Sequence, residues 1–151
     1  MDKLTYVSPW GPWQITASDV GVVSVETQQN GLYFSDNPHL CQVKEQLDLY
    51  FAGIPTSFSV PIDLRGTEFQ LSVWEILREI PYGETRSYSD IAQILGKPEA
   101  VRAVGHAVGR NPCLVLVPCH RVIGKNGNLT GFSAGIELKV NLLRLEHILE
   151  R

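Results

Sequence analysis

The hydrophobic pattern of the chain changes once, near residue 64, and this change constrains the fold more than any other feature. Before it, residues 4–7, 13–16 and 22–25 are short β-branched or aromatic segments separated by Gly, Pro and Asp. Residues 38–52 then repeat apolar side chains at helical spacing. The pattern predicts an α+β protein, with a small sheet-plus-helix structural domain over residues 1–64.

Residues 65–151 have a mostly helical pattern. Apolar periodicity predicts a helix that begins at Thr67 or Ser72 and runs to about residue 79, and a short helix that begins at Ser87 or Ser89 and runs to residue 95. A third helix is expected over about residues 98–108. The last two are joined by the tight turn Gly96-Lys97-Pro98, with Pro98 expected in the first turn of the following helix. Two short helices joined in this way resemble a helix-turn-helix. We therefore predict a winged helix-turn-helix-like second domain over residues 65–151.

Composition limits the class of protein and its compartment. The longest apolar run, residues 113–117, is too short to span a bilayer, and the amino terminus lacks the apolar stretch of a signal peptide. Three cysteines is an odd number, which in a reducing compartment predicts free thiols. We expect a cytoplasmic monomer with no membrane partner.

The charge of the chain is unevenly distributed. The net charge is −3, which taken alone argues against a nucleic-acid partner. Residues 1–64 carry a net charge of −5, however, whereas residues 97–125 hold five cations and one acidic residue. A local charge of +4 in 29 residues is typical of a surface that binds a polyanion, although an ordinary solvated basic face has the same composition.

The helix expected at residues 98–108 has a surface almost stripped of large side chains. Arg102 and His106 lie on one face, surrounded by Ala103, Gly105, Ala107 and Gly109, while Ala100, Val101, Val104 and Val108 form the apolar stripe. Each interior glycine costs about 1 kcal/mol relative to alanine. A nucleic-acid groove that approaches the backbone closely explains this composition, and so does tight packing on a neighbouring helix.

Cys119 is the candidate nucleophile. The apolar run 113–117, predicted to be a buried strand or extended segment, leads to Pro118-Cys119-His120-Arg121-Val122. Cations beside a thiol lower its pKa, and His120 and Arg121 are available for this. A buried structural thiol is the ordinary alternative, and Cys41 and Cys113 are expected in the core.

Residues of this segment are also of the types used in two other chemistries. A zinc site drawn from Cys41, Cys113, Cys119, His39 and His120 lacks any Cys-x-x-Cys pair, so no metal is predicted. A cysteine hydrolase would need His106 or His147 as a distant base, and nothing in the sequence supports that pairing.

The same residues resemble the O6-alkylguanine-DNA alkyltransferase family. The resemblance extends from about residue 67 to residue 149 in the order and spacing of the family's motifs. These motifs are Arg102-Ala103-Val104-Gly105, Asn111-Pro112, Pro118-Cys119-His120-Arg121-Val122, Gly131-Phe132-Ser133-Ala134-Gly135, Lys139, and Leu142-Leu143 followed by Glu146.

The resemblance implies direct, irreversible repair of DNA. By resemblance, Cys119 accepts the alkyl group of an O6-alkylguanine in duplex DNA, and each molecule acts once without a cofactor. His120 would remove the thiol proton through a water molecule, Glu146 would orient His120, and Tyr88 would donate to the departing guanine. The sequence leaves open whether O4-alkylthymine is a second substrate.

The resemblance also assigns substrate- and DNA-binding residues. Arg102 would fill the stack that a flipped nucleotide leaves, and Asn111 would fix the turns on either side of it. Val122 and Ser133 would line the guanine pocket, with Lys139 and Phe132 near the site, Arg121 as a further binding residue and His106 on the DNA face. The rival of another class is a helix-turn-helix protein that binds DNA without chemistry.

Overall fold

The computed structural model describes residues 1–27, 30–127, 129, 132 and 134–149. Within these residues the chain forms two compact units, one of Met1–Arg65 with Pro112–Leu114 and the other of Gly66–Asn111 with Val115–Arg151. An antiparallel sheet lies in the first unit and most of the helices lie in the second, which confirms the predicted α+β class. No described helix has the length and hydropathy needed to cross a membrane.

The first unit is a three-stranded sheet covered by one helix. Strands β1 (Asp2–Ser8), β2 (Gly11–Ala17) and β3 (Val22–Glu26) pair antiparallel in the order β1-β2-β3. Helix α1 (Pro38–Phe51) begins where the Asn37 side chain accepts from the His39 N–H, and it buries its apolar stripe Leu40, Val43, Leu47 and Tyr50. The 3.6-residue period of the helix places these four side chains on one face, and five consecutive residues of β2, from Trp13 to Ala17, are buried as well.

The second unit carries helices α2 (Glu68–Arg78), α3 (Tyr88–Ile94), α4 (Val101–Gly109) and α5 (Ile136–Leu145). Reciprocal side-chain caps begin two of them, Thr67 with Gln70 on α2 and Ser87 with Asp90 on α3. Two short strands, β4 (Arg86–Ser87) and β5 (Val122–Ile123), pair in parallel, and a 3-10 helix, Cys119–Arg121, immediately precedes β5.

Two local expectations in the second half of the chain were wrong. Helix α4 begins at Val101, because Pro98 occupies the second position of a turn in which the Ala100 N–H donates to the Lys97 carbonyl. Residues 113–117 are buried but form turns after a single bridge at Cys113, since an apolar run indicates burial and does not specify a strand. Val115 in this run has a φ of 69°, a conformation that no strand contains.

Ala107 and Cys41 also lie elsewhere than predicted. Ala107 is buried, and its carbonyl accepts from Nε1 of Trp74 at 2.8 Å, so it belongs to the packed side of α4. Cys41 is exposed on α1, outside the core, whereas Cys113 is buried as expected.

Candidate active site

The paired strands β4 and β5 bring Cys119 and Tyr88 into one site. Tyr88 directly follows β4, and the 3-10 helix that begins with Cys119 directly precedes β5. Residues Arg86 and Ser87 pair in register with Val122 and Ile123. Two residues that are 31 positions apart in the chain therefore become neighbours through four residues of sheet.

Cys119 is a buried and neutral thiol. Only 3% of the residue is exposed, and this burial raises the pKa of the thiol to about 11. A hydrogen bond from the Asn111 side chain, the charge of Lys139 and nearby backbone N–H groups favour the thiolate but do not outweigh burial. The expectation that His120 and Arg121 would lower this pKa was wrong, because a sequence does not show how deeply a thiol is buried.

His120 pairs with Glu146 inside the protein. Nε2 of His120 lies 2.5 Å from Oε2 of Glu146, and neither side chain is exposed. Burial lowers the pKa of His120, with the charges of Arg121 and Lys139 adding to the shift and Glu146 opposing it. His120 is therefore a neutral imidazole near pH 7.

The other ring nitrogen of His120 is free to accept a proton. Burial would raise the pKa of Glu146, but the hydrogen bonds and charges of His120 and Arg121 hold it well below its usual range. An ionised carboxylate cannot donate, so the proton of the imidazole lies on Nε2. Nδ1 then carries the basic lone pair, and it has no hydrogen-bond partner within the described parts of the chain.

Arg121 lies in the interior and contacts Glu146. Its Nε donates to Oε1 of Glu146 at 2.8 Å and its Nη2 to Oε2 at 3.1 Å, while Nη1 donates to the carbonyl of Ile80 at 2.7 Å. The guanidinium lies 5.8 Å from the ring centroid of Tyr82, and the Gly83 N–H donates to Oε1 of Glu146 at 3.1 Å. With 6% of the residue exposed, Arg121 does not occupy a position from which it contacts DNA, which corrects its expected role.

Lys139 is a second buried cation near the thiol. Its Nζ donates to the carbonyl of Val122 at 2.6 Å and lies 5.9 Å from the ring centroid of Phe132. Burial lowers the pKa of Lys139 to about 8, with the thiolate form of Cys119 opposing the shift. Lys139 thus contacts Val122 and Phe132 and is close enough to Cys119 for its charge to act on the thiol. Ser133, expected in the same pocket, lies outside the described residues.

Asn111 connects the end of α4 to the cysteine. Its Nδ2 donates to the carbonyl of Val117 at 2.7 Å, two residues before Cys119, and its side chain also hydrogen-bonds the Cys119 sulfur. One amide therefore holds the turn before the nucleophile and contacts the nucleophile itself.

Helix α4 presents a basic ridge to solvent. Arg102, His106 and Arg110 are exposed and lie four residues apart, so their side chains share one face. On one side of the ridge a groove of about 540 Å³ reaches Tyr88 and Gly105. On the other side a groove of about 830 Å³ reaches Phe69 and the first turn of α2.

Gly105 lies in the wall of the groove that reaches Tyr88. A Cβ built on Gly105 would meet the Tyr88 ring at 3.9 Å, an ordinary van der Waals distance. Packing within the chain therefore does not require a glycine here. Burial raises the pKa of Tyr88, and the charge of Cys119 adds to the shift, so the phenol beside this groove remains a hydrogen-bond donor.

The alternative chemistries gain no support from the geometry. Among the described residues, no three His, Cys, Asp or Glu side chains are grouped so that they could hold a metal ion. His106 and His147, the distant bases of the hydrolase hypothesis, are both exposed, and His120 takes the place beside Glu146. Sequence reasoning missed the contacts of Ile80, Tyr82 and Gly83, which no local pattern indicates.

Comparison with known proteins identifies the class of this fold and site. A family model described as "6-O-methylguanine DNA methyltransferase, DNA binding domain" matches residues 68–148, and one described as "6-O-methylguanine DNA methyltransferase, ribonuclease-like domain" matches residues 1–64. Together these models match more than half of the chain. The chain belongs to the 6-O-methylguanine DNA methyltransferase family.

Individual relatives agree with this assignment. A methylated-DNA--protein-cysteine methyltransferase of Methanosarcina acetivorans is 44% identical over 148 residues, covering 93% of this chain and 95% of its own. The inducible enzyme of that name from Bacillus subtilis is 54% identical over 115 residues, covering 76% of this chain and 64% of its own. The crystal structure of Mycobacterium tuberculosis OGT in complex with DNA has a TM-score of 0.87 and 45% identity, covering 97% of this chain and 92% of that one.

Proposed function

We propose that this chain repairs DNA by transferring an alkyl group from guanine O6 to Cys119, once per molecule and irreversibly. The observation that carries the proposal is the buried thiol of Cys119 in the same unit as a His120–Glu146 pair whose Nδ1 remains free to accept a proton. Family membership supports the same reaction.

The reaction requires a base because the resting thiol is neutral. His120 takes the thiol proton at Nδ1 through one intervening water, and Glu146 stabilises the imidazolium that forms. The Cys119 sulfur then attacks the alkyl carbon, the new S–C bond replaces the C–O6 bond, and the bonding electron pair leaves with guanine. The departing base takes up one proton, which balances the proton that the thiol gave to His120, and leaves as neutral guanine. The thioether has no route back to thiol, which makes the reaction stoichiometric.

Tyr88 assists the departure of guanine. Its raised pKa favours the neutral phenol, which donates a hydrogen bond to the guanine as negative charge develops on that guanine. Lys139, Val122, Phe132 and Ser133 form the remaining wall of the guanine pocket in this proposal, supported for the first three by the contact of Lys139 with the Val122 carbonyl and the Phe132 ring.

DNA binds along α4. A thiolate cannot reach O6 of a stacked base, so the nucleotide must be flipped, which costs a few kcal/mol. Arg102 fills the space that the flipped nucleotide leaves in the base stack, and His106 contacts the DNA backbone beside it. Asn111 fixes the position of Cys119 relative to α4 through its hydrogen bond to the Val117 carbonyl. The exposed positions of Arg102 and His106 beside the Tyr88 groove support these assignments. Duplex DNA carrying O6-alkylguanine is the substrate, without a cofactor.

The remaining proposals concern the whole chain. Residues 1–64 serve as a structural domain and residues 65–151 as the DNA-binding and transfer domain. The protein acts as a monomer in the cytoplasm, where three free thiols persist.

Mass spectrometry tests the proposed reaction directly. Incubation with a duplex that contains one O6-methylguanine should add one methyl group to Cys119 of each protein molecule and convert the lesion to guanine. Cys119→Ser should gain no mass, whereas Cys41→Ser, which alters the exposed cysteine of α1, should be methylated at Cys119 like the unmodified protein. Absence of methylation on Cys119 in the unmodified protein would rule out the proposed function.

A further inference from the structure

The carboxylate of Glu146 accepts hydrogen bonds at both of its oxygens. Oε2 faces Nε2 of His120 and Nη2 of Arg121, while Oε1 accepts from Nε of Arg121 and from the Gly83 N–H. Arg121 therefore grips the carboxylate with two parallel N–H···O bonds, the arrangement that fixes orientation as well as charge.

Arg121 is itself held in place. Its third donor, Nη1, binds the Ile80 carbonyl at 2.7 Å, and its guanidinium lies over the Tyr82 ring. Both contacts come from the segment that follows α2, which is distant in sequence from the 3-10 helix that carries Arg121. The guanidinium cannot leave Glu146 without breaking these contacts as well.

We propose that Arg121 is a positioning residue for the alkyl transfer: it keeps Glu146 ionised and aimed at Nε2 of His120, which leaves Nδ1 as the basic atom for the Cys119 proton. The inference rests on the proposed function. A carboxylate that is saturated by donors does not accept a second proton, so proton movement ends at His120. Arg121 thus acts through two other side chains and touches neither DNA nor the alkyl group.

The charges that face His120 define the expected pH dependence. Glu146 at the end of α5 favours the imidazolium, while Arg121 on the 3-10 helix and Lys139 on α5 disfavour it. Removal of Arg121 leaves only burial and the charge of Lys139 to oppose protonation of His120, while Glu146 still favours it. The imidazolium then forms at higher pH, and the base is lost from the reaction under conditions in which the unmodified protein still reacts.

The test uses free O6-benzylguanine, so DNA binding does not enter the measurement. Second-order rates of Cys119 benzylation are measured from pH 5 to 9 for the unmodified protein, Arg121→Met, Arg121→Lys and Glu146→Gln. Arg78→Met, which changes an exposed arginine of α2, is the matched control. Near-ultraviolet circular dichroism confirms that each variant is folded.

Arg121→Met should move the acidic limb of the pH–rate profile to higher pH and lower the rate near pH 7 by about tenfold or more, part of the roughly 100-fold or larger contribution of a positioned base. Arg121→Lys retains the charge but not the two-point contact, so its acidic limb should stay near that of the unmodified protein while its rate falls at every pH. Arg78→Met should change neither quantity.

Three results would overturn the inference. One is an acidic limb in Arg121→Met that matches the unmodified protein, and another is additive rate losses when Arg121→Met is combined with Glu146→Gln, since residues of one network are expected to be non-additive. If Arg121→Met does not fold, a normal rate in Arg121→Lys is the overturning result. Failure of the unmodified protein to become benzylated would instead contradict the proposed function.

Discussion

Lys139 shows how one buried side chain changes the chemistry of its neighbour. Its ammonium group is almost fully buried, binds the Val122 carbonyl and is among the groups that favour the thiolate of Cys119. Its own pKa falls to about 8, because burial disfavours the charge. Near neutral pH, Lys139 is still charged and supports ionisation of the thiol.

Lys139→Met should therefore make the Cys119 thiol harder to ionise. Loss of a nearby cation raises a thiol pKa by about one unit or more, which corresponds to about a tenfold smaller thiolate fraction. The rate of Cys119 carbamidomethylation by iodoacetamide, followed as a function of pH on the Cys119 peptide, measures the change. Lys97→Met, an exposed residue of the turn before α4, is the control. An unchanged pH profile in Lys139→Met would contradict this account.

At the residue scale, the sequence predicted which side chains pair with each other better than it predicted how deeply each side chain is buried. The pairing of His120 with Glu146 was expected from the resemblance, and the structure contains it. The expected lowering of the Cys119 pKa was wrong because burial depends on the whole fold. The position of Arg121 could not be foreseen either, since it depends on a carbonyl at Ile80, 41 residues earlier.

Helices were predictable where their end signals are local. Thr67 with Gln70 and Ser87 with Asp90 form caps within three residues, and α2 and α3 begin where such caps predict. Helix α4 has no side-chain cap at Ala100, and its start was misplaced by three residues. Residues 113–117 were misread as a strand because strand pairing requires a distant partner, which only Cys113 finds.

The substitution Gly105→Ala should change the stability of α4 and the rate of duplex repair in opposite directions. The added methyl group meets the Tyr88 ring at 3.9 Å without a clash, and alanine stabilises a helix interior by about 1 kcal/mol relative to glycine. We expect a higher melting temperature, together with slower repair of O6-methylguanine in duplex DNA, because the new Cβ projects into the groove beside Tyr88. Reaction with free O6-benzylguanine should change less than duplex repair.

The reverse substitution on the same helix is the control. Ala103→Gly, at an exposed position, should lower the melting temperature and adds no atom to the groove. If Gly105→Ala raises the melting temperature and repairs duplex DNA at the normal rate, close approach of DNA to this glycine is disproved.

The whole molecule combines an acidic amino-terminal part with a basic segment. Residues 1–64 carry a net charge of −5 and residues 97–125 a net charge of +4, so the total of −3 describes neither surface. The proposed binding of DNA along α4 would release counterions and should therefore weaken as salt concentration rises. Repair rates on duplex DNA are therefore comparable only at one ionic strength.

Acid should destabilise the fold through Glu146. Its pKa is held below the ordinary carboxylate range, so the unfolded chain binds this proton more readily than the folded chain does. The resulting stability is fully present above about pH 4.5 and is lost as the pH falls towards the lowered pKa of the folded state. Urea unfolding at pH 3.5, 5 and 7 measures the trend.

Glu146→Gln should flatten this dependence, because glutamine does not titrate. The variant should be less stable than the unmodified protein at pH 7, where it leaves Arg121 without its anion, and the difference should shrink at pH 3.5. Glu45→Gln, on the exposed face of α1, is the control and should follow the unmodified protein. Parallel pH dependences of the unmodified protein and Glu146→Gln would contradict the assignment.

The raised pKa of the Cys119 thiol has a consequence for how long an unreacted molecule stays useful. With a pKa of about 11, roughly one thiol in 10,000 is ionised at pH 7. Oxidants and stray electrophiles react with thiolates, so an idle molecule is nearly inert towards them. A protein that is consumed by a single reaction is thereby less often lost to such side reactions before it meets a lesion.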